Sequence, residues 1–187
     1  MATVVEAIDD TLRTFIGSQH MFFVATAPLD RYGHVNLSPR GLDTFRVLSA
    51  RRVAWLDHVG SGAETIAHVR ENGRLTVMFC AFQGPPKIVR LHGRGGVLRP
   101  DDEAFAELRP LFGDAPPARA IITLDVDRVS HSCGFGVPLY EYQGQRAQLT
   151  DWADRKGETA LRAYQAQKNA RSIDGLPGVD WLEAERP

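Results

Sequence analysis

Residues 60–65 combine the residue types that bind phosphate at the start of a helix. Gly60-Ser61-Gly62-Ala63-Glu64-Thr65 precedes a helix-like segment, and Ser61-x-x-Glu64 fits a capping box. A helix start carries unpaired N–H groups and partial positive charge, which favour an anion. Gly60 and Gly62 would admit a phosphate to the backbone, and Thr65 would add a hydroxyl. Ser61 cannot use one oxygen for both tasks, so the segment predicts either a plain helix start or a phosphate site.

A second candidate lies in Ser38-Pro39-Arg40-Gly41, where a predicted strand ends. An arginine beside a turn is either solvated or, because of its planar fork of donors, a bidentate partner for phosphate. If strand 34–38 lies beside strand 53–57, Arg40 reaches the same anion as Ser61. We therefore expect Arg40 and residues 61–65 to hold one anion between them.

Motifs for other chemistries are missing from the sequence. It contains no G-x-G-x-x-G between a strand and a helix, no Walker A lysine and no G-x-S-x-G elbow. The six histidines form no zinc pattern, and Cys80 and Cys133 belong to no C-x-x-C pair. We expect no metal site and two free thiols that are not bonded to each other, and no residue is assigned as catalytic.

Composition limits the partners of the chain. Its 187 residues include 22 Lys plus Arg and 23 Asp plus Glu, a net charge of −1, which argues against a phosphate-neutralising nucleic-acid surface. The first 20 residues do not resemble a signal peptide, and no apolar run is long enough to cross a bilayer. We expect a cytoplasmic protein that binds neither nucleic acid nor a membrane.

The hydrophobic pattern predicts many short strands at irregular spacing. Glycines 93, 95 and 96 indicate a bulge or bend, and residues 172–178 an ordered turn. This spacing favours a closed antiparallel barrel with helices at its mouth over alternating β-α-β units. The expected strands span 21–26, 34–38, 45–48, 53–56, 75–82, 88–98 and 120–129, and the expected helices span 3–16, 62–72, 102–111 capped by Asp101, and 145–170 with a break at Gly157.

The ordered set of these segments resembles a known family. The segments that carry the resemblance are 22–27, His34-Val35-Asn36-Leu37-Ser38-Pro39-Arg40-Gly41-Leu42-Asp43, Val53-Ala54-Trp55-Leu56-Asp57 and Asn72-Gly73-Arg74-Leu75-Thr76-Val77-Met78-Phe79. Over residues 5–130 the chain resembles the pyridoxamine 5'-phosphate oxidase family of FMN-binding split barrels. The endings 132–138 and 169–178 resemble a bacterial branch of unassigned substrate. The resemblance implies a mainly β fold, a Greek-key-like antiparallel split barrel, over residues 1–140, with 141–187 as a helical extension of the same domain.

The resemblance also implies a cofactor, a partner and a reaction. FMN would lie at a homodimer interface and exchange a hydride, at its N5 atom, with a small-molecule substrate. The residues carried over as flavin contacts are Val35, Asn36, Ser38, Arg40, Trp55, Leu56, Asp57, Ser61, Gly62 and Thr65, with Lys87 and Ile88 reaching the flavin from the partner subunit.

The chain departs from the oxidase proper near the predicted phosphate site. The oxidase has Ser-Arg-Lys where this sequence has Ala63-Glu64-Thr65, so two phosphate-binding cations are missing. A C-terminal arginine-rich substrate signature is also missing. Pyridoxamine phosphate is therefore not the expected substrate. Three alternatives stay open: a reductase using the deazaflavin F420, a haem-binding split barrel, and a flavin-binding protein without turnover.

Overall fold

A computed structural model of the chain describes residues 2–113 and 115–182. The strands are β1 (Thr3–Val5), β2 (Phe22–Thr26), β3 (Asn36–Arg40), β4 (Phe45–Ser49), β5 (Arg52–His58), β6 (Arg74–Cys80), β7 (Ile88–Leu98) and β8 (Ala118–Ser132). The helices are α1 (Asp10–Gly17), α2 (Glu64–Asn72), α3 (Glu103–Leu108) and α4 (Gln148–Lys168), with 3₁₀ turns at Arg109–Phe112 and Asp180–Leu182. All seven predicted strands are confirmed, and β7 has the predicted bounds.

The strands form one antiparallel sheet that curls into a split barrel. Its order is β3-β2-β6-β7-β8-β5-β4, and β1 pairs with β8. No ladder joins β3 to β4 within the described residues, so side chains close the barrel. Phe22 of β2 lies 4.9 Å from Phe45 of β4 and 5.8 Å from Trp55 of β5, measured between ring centroids. The two ends of the sheet therefore share one aromatic core.

The predicted bulge in β7 is confirmed. The register of β7 against β8 shifts between His92 and Gly93. A Cβ at Gly93 would clash with the backbone carbonyl of Asp125 on β8. Only glycine fits at this approach of two backbones, so the bulge and the long bent strand depend on it.

Three predicted helix starts were wrong, and that of α2 is described with the candidate site. Residues 3–5 form β1 instead of the first turn of a helix, and α1 begins at Asp10 because the Asp9 side chain caps it by accepting from the N–H of Leu12 at 2.7 Å. Helix α3 begins after Asp102, not Asp101, and the Asp102 carboxylate accepts from the N–H of Arg99 instead of capping the helix.

The C-terminal extension packs on the barrel. Helix α4 breaks at Gly157, as predicted, and residues 171–178 form a turn closed by a bridge between Arg171 and Pro177. Val179 is fully buried in the main core. The extension, described to residue 182, therefore contributes side chains to the same core as the strands.

Two further expectations concern single features. Cys80 is buried, Cys133 is exposed, and both are free thiols, as predicted. In the described part of the chain, no helix combines the length and the apolarity that a membrane span requires.

Candidate functional site

The start of α2 differs from the predicted capping box. The helix begins at Glu64 with Ala63 at its N-cap, and no side chain caps it. The first intrahelical bond joins the N–H of Ala67 to the carbonyl of Ala63, which leaves the N–H groups of residues 64–66 without a helix partner. The Ser61 side chain is exposed and has no partner among the described residues. The predicted capping role of Ser61 was therefore wrong, and a phosphate contact by Ser61 stays a prediction.

A cleft of about 520 Å³ opens beside this helix start and is called the Ser61 cleft below. Residues 34–37 around the start of β3 form one wall, and Ser61, Gly62 and Glu64 form a second. Lys168 and residues 171–173 of the C-terminal extension form a third. The last wall brings two exposed cations, Lys168 and Arg171. The ring of His34 contacts Asp174, with Nδ1 2.7 Å from Oδ1. Basic groups therefore come from a part of the chain about 100 residues after the helix.

One acidic group already lies at the helix start. The Glu64 carboxylate folds back so closely that a Cβ at Gly62 would clash with it, and it accepts from the N–H of Ile173 at 3.3 Å. A carboxylate in this position is stabilised by the partial positive charge of the helix start. The start of α2 therefore already holds one anionic group, the carboxylate of Glu64.

The side chain of Asn36 joins β3 to α2. Its amide nitrogen donates to the hydroxyls of Thr26 and Thr65, at 3.1 Å each, and its oxygen accepts from the hydroxyl of Ser38 at 2.7 Å. Nδ1 of the buried ring of His68 lies 3.0 Å from the same Thr26 hydroxyl. Both amide hydrogens of Asn36 are used, so Asn36 borders the Ser61 cleft in a fixed position, held by its hydrogen bonds to Ser38 and Thr65.

Arg40 lies in a different place from Ser61. It lines a larger cleft, of about 1010 Å³, at the opposite end of β3, called the Arg40 cleft below. Asn36 and Arg40 are four residues apart on one strand, roughly 13 Å at 3.3 Å per residue. Arg40 and Ser61 border different clefts, one near each end of β3, and the expectation that they hold one anion between them is corrected.

The guanidinium of Arg40 contacts a buried ion cluster. Its Nη1 lies 2.9 Å from Oδ1 of Asp57, and Nε of Arg119 donates to Oδ2 of Asp57 at 2.8 Å. The side chains of Asp57 and Arg119 are 0% and 2% exposed, and that of Arg40 is 20% exposed. Burial raises the pKa of Asp57, but Arg119 and Arg40 outweigh it and hold that pKa below its ordinary value. Two guanidinium groups thus face one carboxylate, a surplus of one positive charge at the Arg40 cleft.

Four predicted contacts lie away from both clefts. Trp55 and Leu56 are 0% and 1% exposed inside the barrel, so their side chains support β5 instead of facing a cofactor. The ammonium of Lys87 lies 5.2 Å from the ring centre of Phe15, and Ile88 begins β7 opposite Ser132. Lys87 and Ile88 are expected to contact the flavin held by the partner subunit, and that expectation stays a prediction.

Comparison with known proteins identifies the family. The profile described as pyridoxamine 5'-phosphate oxidase matches residues 8–133, and the chain belongs to that family. The pyridoxamine 5'-phosphate oxidase family protein ustO of Aspergillus flavus is 41% identical over 198 residues, covering 96% of this chain and 78% of ustO.

Two solved structures share the fold at low sequence identity. HupZ of Group A Streptococcus matches with a TM-score of 0.53 at 18% identity, covering 65% of this chain and 91% of HupZ. A proposed pyridoxamine 5'-phosphate oxidase from Lactobacillus delbrueckii matches with a TM-score of 0.52 at 16% identity, covering 67% of this chain and 94% of that protein. These likenesses support the split-barrel fold.

Sequence reasoning missed the residues that the extension and β8 bring to the clefts. Lys168 and Arg171 come after the end of the family match, and no local motif marks them. Arg119 had one usable signal: Asp57 stands in the apolar run Val53-Ala54-Trp55-Leu56-Asp57, and a carboxylate on a buried strand requires a cation. The signal predicts that a partner exists but not which arginine it is.

Proposed function

We propose that this chain is an FMN-dependent oxidoreductase that holds the phosphate of FMN in the Ser61 cleft. The observation that carries the proposal is the set of donors at that cleft. A free Ser61 hydroxyl, the start of α2 at Glu64 with its unpaired N–H, and two exposed cations, Lys168 and Arg171, border one space. Such a set matches a phosphate, which takes hydrogen bonds and positive charge at once.

The residues present fit that group on two grounds. The Glu64 carboxylate rests at the helix start, as the partial positive charge there favours, although it also repels a phosphate placed beside it. Lys168 and Arg171 supply the two positive charges that the segment Ala63-Glu64-Thr65 does not. The missing cations of the helix therefore do not argue against a phosphate in this chain.

Each group at the cleft then has a task in binding. Ser61 and the helix N–H groups hold phosphate oxygens, Lys168 and Arg171 neutralise charge, and Asn36 keeps β3 against α2. The exposed Leu37 of β3 and Val35 just before the strand offer an apolar surface to a flat ring. When bound, the isoalloxazine ring supplies hydride chemistry at its N5 atom, so no protein nucleophile is required.

We further propose a homodimer. Strand β3 is an edge strand of the sheet, and the side chains of its Leu37 and of the preceding Val35 are 65% and 73% exposed. Exposed apolar side chains along an edge mark a surface that another chain covers. Sedimentation of the FMN-loaded protein should give a dimer at micromolar concentration, and a clean monomer would exclude this arrangement.

An absorption spectrum of the purified protein tests the cofactor. We expect a band near ~450 nm after reconstitution with FMN and gel filtration, the position typical of oxidised flavins. A Soret band would indicate haem, and binding of F420 but not FMN would indicate the deazaflavin alternative. A flavin that binds but is reduced by no donor would indicate a binding protein without turnover.

A further inference from the structure

A hydrogen-bonded histidine and aspartate lie at the Ser61 cleft, and the proposed binding of phosphate has so far made no use of them. Nδ1 of His34 lies 2.7 Å from Oδ1 of Asp174, and the backbone N–H of His34 donates to Oδ2 of the same carboxylate at 2.7 Å. His34 borders the cleft and its side chain is 70% exposed, whereas Asp174 does not border the cleft. The carboxylate therefore fixes an imidazole ring that is open to a ligand.

The backbone on both sides sets this contact. Asp174 lies in the turn at residues 171–178, where Gly175 has a φ of 79° and its N–H donates to the carbonyl of Ser172 at 3.0 Å. On the other side, a Cβ at Gly33 would lie 3.1 Å from Oδ2 of Asp174. Glycines in both segments thus allow two parts of the chain that are 140 residues apart to meet closely.

The contact decides which nitrogen of His34 carries the proton. The two hydrogen bonds from His34 hold the pKa of Asp174 below its ordinary value, so this carboxylate is ionised. An ionised carboxylate only accepts hydrogen bonds, and Nδ1 must therefore donate to it. A neutral imidazole has one N–H, so Nε2 is then without a proton and can only accept. Since phosphate oxygens also accept, His34 can donate to a phosphate from Nε2 only when the ring is protonated.

Protonation of His34 also changes the charge at the cleft. With a neutral ring, the pair of His34 and Asp174 carries one negative charge, which repels a phosphate. With a protonated ring, the pair has no net charge and presents an N–H donor. Both effects favour phosphate binding to the protonated form, so they add.

The other charged groups around His34 do not titrate with it. Lysine, arginine and carboxylic side chains ordinarily change their charge outside the range from about pH 6.5 to about pH 8.5. The groups of these types around the ring are Lys168, Arg171 and Glu64 at the cleft, and Asp30 and Arg31 on the preceding loop. His68 is buried, and burial lowers its pKa, so His68 stays neutral above about pH 6.5.

We propose that FMN binding at the Ser61 cleft takes up one proton on His34, with Asp174 as the residue that positions the ring. The inference rests on the proposed function, because the phosphate of FMN is the group that the protonated ring meets. Binding that takes up a proton weakens as the pH rises. FMN affinity should therefore fall through the range in which histidine loses its proton, and riboflavin affinity should not.

Fluorescence titrations with FMN and riboflavin test the proposal. Between about pH 6.5 and about pH 8.5 we expect FMN affinity to fall at least about fivefold and riboflavin affinity to change less than about twofold. His34→Gln keeps a polar side chain but cannot gain the charge, so its FMN affinity should not fall with pH. FMN itself takes up a phosphate proton near pH ~6, which works against the expected fall and acts on every variant alike. His131→Gln is the matched control and should keep the fall, because this half-buried histidine of β8 borders neither cleft.

A second variant keeps the proposal testable if His34→Gln does not fold. Asp174→Asn retains an acceptor for the backbone N–H of His34 but lets a neutral ring carry its proton on either nitrogen, so the fall of FMN affinity with pH should become shallower. FMN affinity that does not fall with pH, or falls equally in His34→Gln, would overturn the inference. The phosphate site would still stand in that case if FMN bound more tightly than riboflavin. Equal affinity for FMN and riboflavin at both pH values would reject the phosphate site and this inference together.

Discussion

Replacing Glu64 by Gln tests the proposed phosphate site with a gain of affinity instead of a loss. The Glu64 carboxylate lies against Gly62 at the start of α2, where a bound phosphate would lie beside it. Two like charges ~4 Å apart repel by about 1 kcal/mol in water and about 4 kcal/mol near a protein surface. The Ser61 cleft is open, so we use the lower value. The variant should bind FMN roughly five- to tenfold more tightly, at about 1.4 kcal/mol per factor of ten.

The assay is a fluorescence titration with FMN and, as a probe without phosphate, riboflavin. Riboflavin should bind the variant and the unaltered protein equally. Glu71→Gln, at the other end of α2, should leave FMN binding unchanged, because Glu71 accepts from the N–H of Leu29 and does not border the cleft. Weaker FMN binding by Glu64→Gln, or equal gains for both ligands, would show that no phosphate lies at this helix start.

Three predictions concern the fold that supports the site. Asp57→Asn should lower the free energy of unfolding by about 3–5 kcal/mol in urea titration, since it leaves the buried Arg119 uncompensated. Gly93→Ala should lower the free energy of unfolding by about 1–3 kcal/mol or more, because the new Cβ would clash with the backbone of Asp125. Burial lowers the pKa of His68 in the folded protein, so the unfolded chain takes up a proton on this histidine at a higher pH than the folded protein does. The free energy of unfolding should therefore fall as the pH drops below 6.5. His68→Asn should make that fall shallower.

Each of these predictions has a control and a contradicting result. Asp125→Asn removes an exposed ion pair with Arg52 and should cost less than about 1 kcal/mol, so an equal loss for Asp57→Asn would contradict the buried cluster. Gly17→Ala adds a Cβ in open space and should not destabilise, whereas a harmless Gly93→Ala would contradict the bulge. If His68→Asn leaves the pH dependence of stability unchanged, His68 has the same pKa in the folded and the unfolded protein, which would contradict the prediction.

The sequence predicted the strands better than the helix starts, for a physical reason. Strands such as β5 and β7 carry local signals: apolar residues in an unbroken run, or glycines at a bulge. Strand β1 has only three residues, and its partner β8 lies about 125 residues further along the chain. Because Thr3–Val5 continues the apolar spacing of α1, local periodicity assigned both to one helix. Pairing at that distance leaves no mark in the local pattern.

The candidate site was predictable only where one segment builds it. Ser61 and Gly62 were found because glycines and a hydroxyl beside a helix start form a local pattern. Lys168 and Arg171 were not, because α4 and the turn after it reach the cleft only through tertiary packing. Arg40 was also found as a candidate. The sequence alone could not show that Arg40 and Ser61 border different clefts, because this depends on how β3 pairs with β2.

The most direct test of the FMN site is a titration of the double variant Lys168→Met, Arg171→Met with FMN. Each lost charge-assisted contact should cost about 1.5 kcal/mol or more, so we predict FMN affinity at least a hundredfold below that of the unaltered protein, with riboflavin affinity unchanged. Lys156→Met, on the same helix but with its ammonium over the rings of Trp152 and Tyr164, serves as the matched control and should bind FMN normally. Unchanged FMN affinity in the double variant would contradict the account, because the Ser61 cleft would then not hold the phosphate.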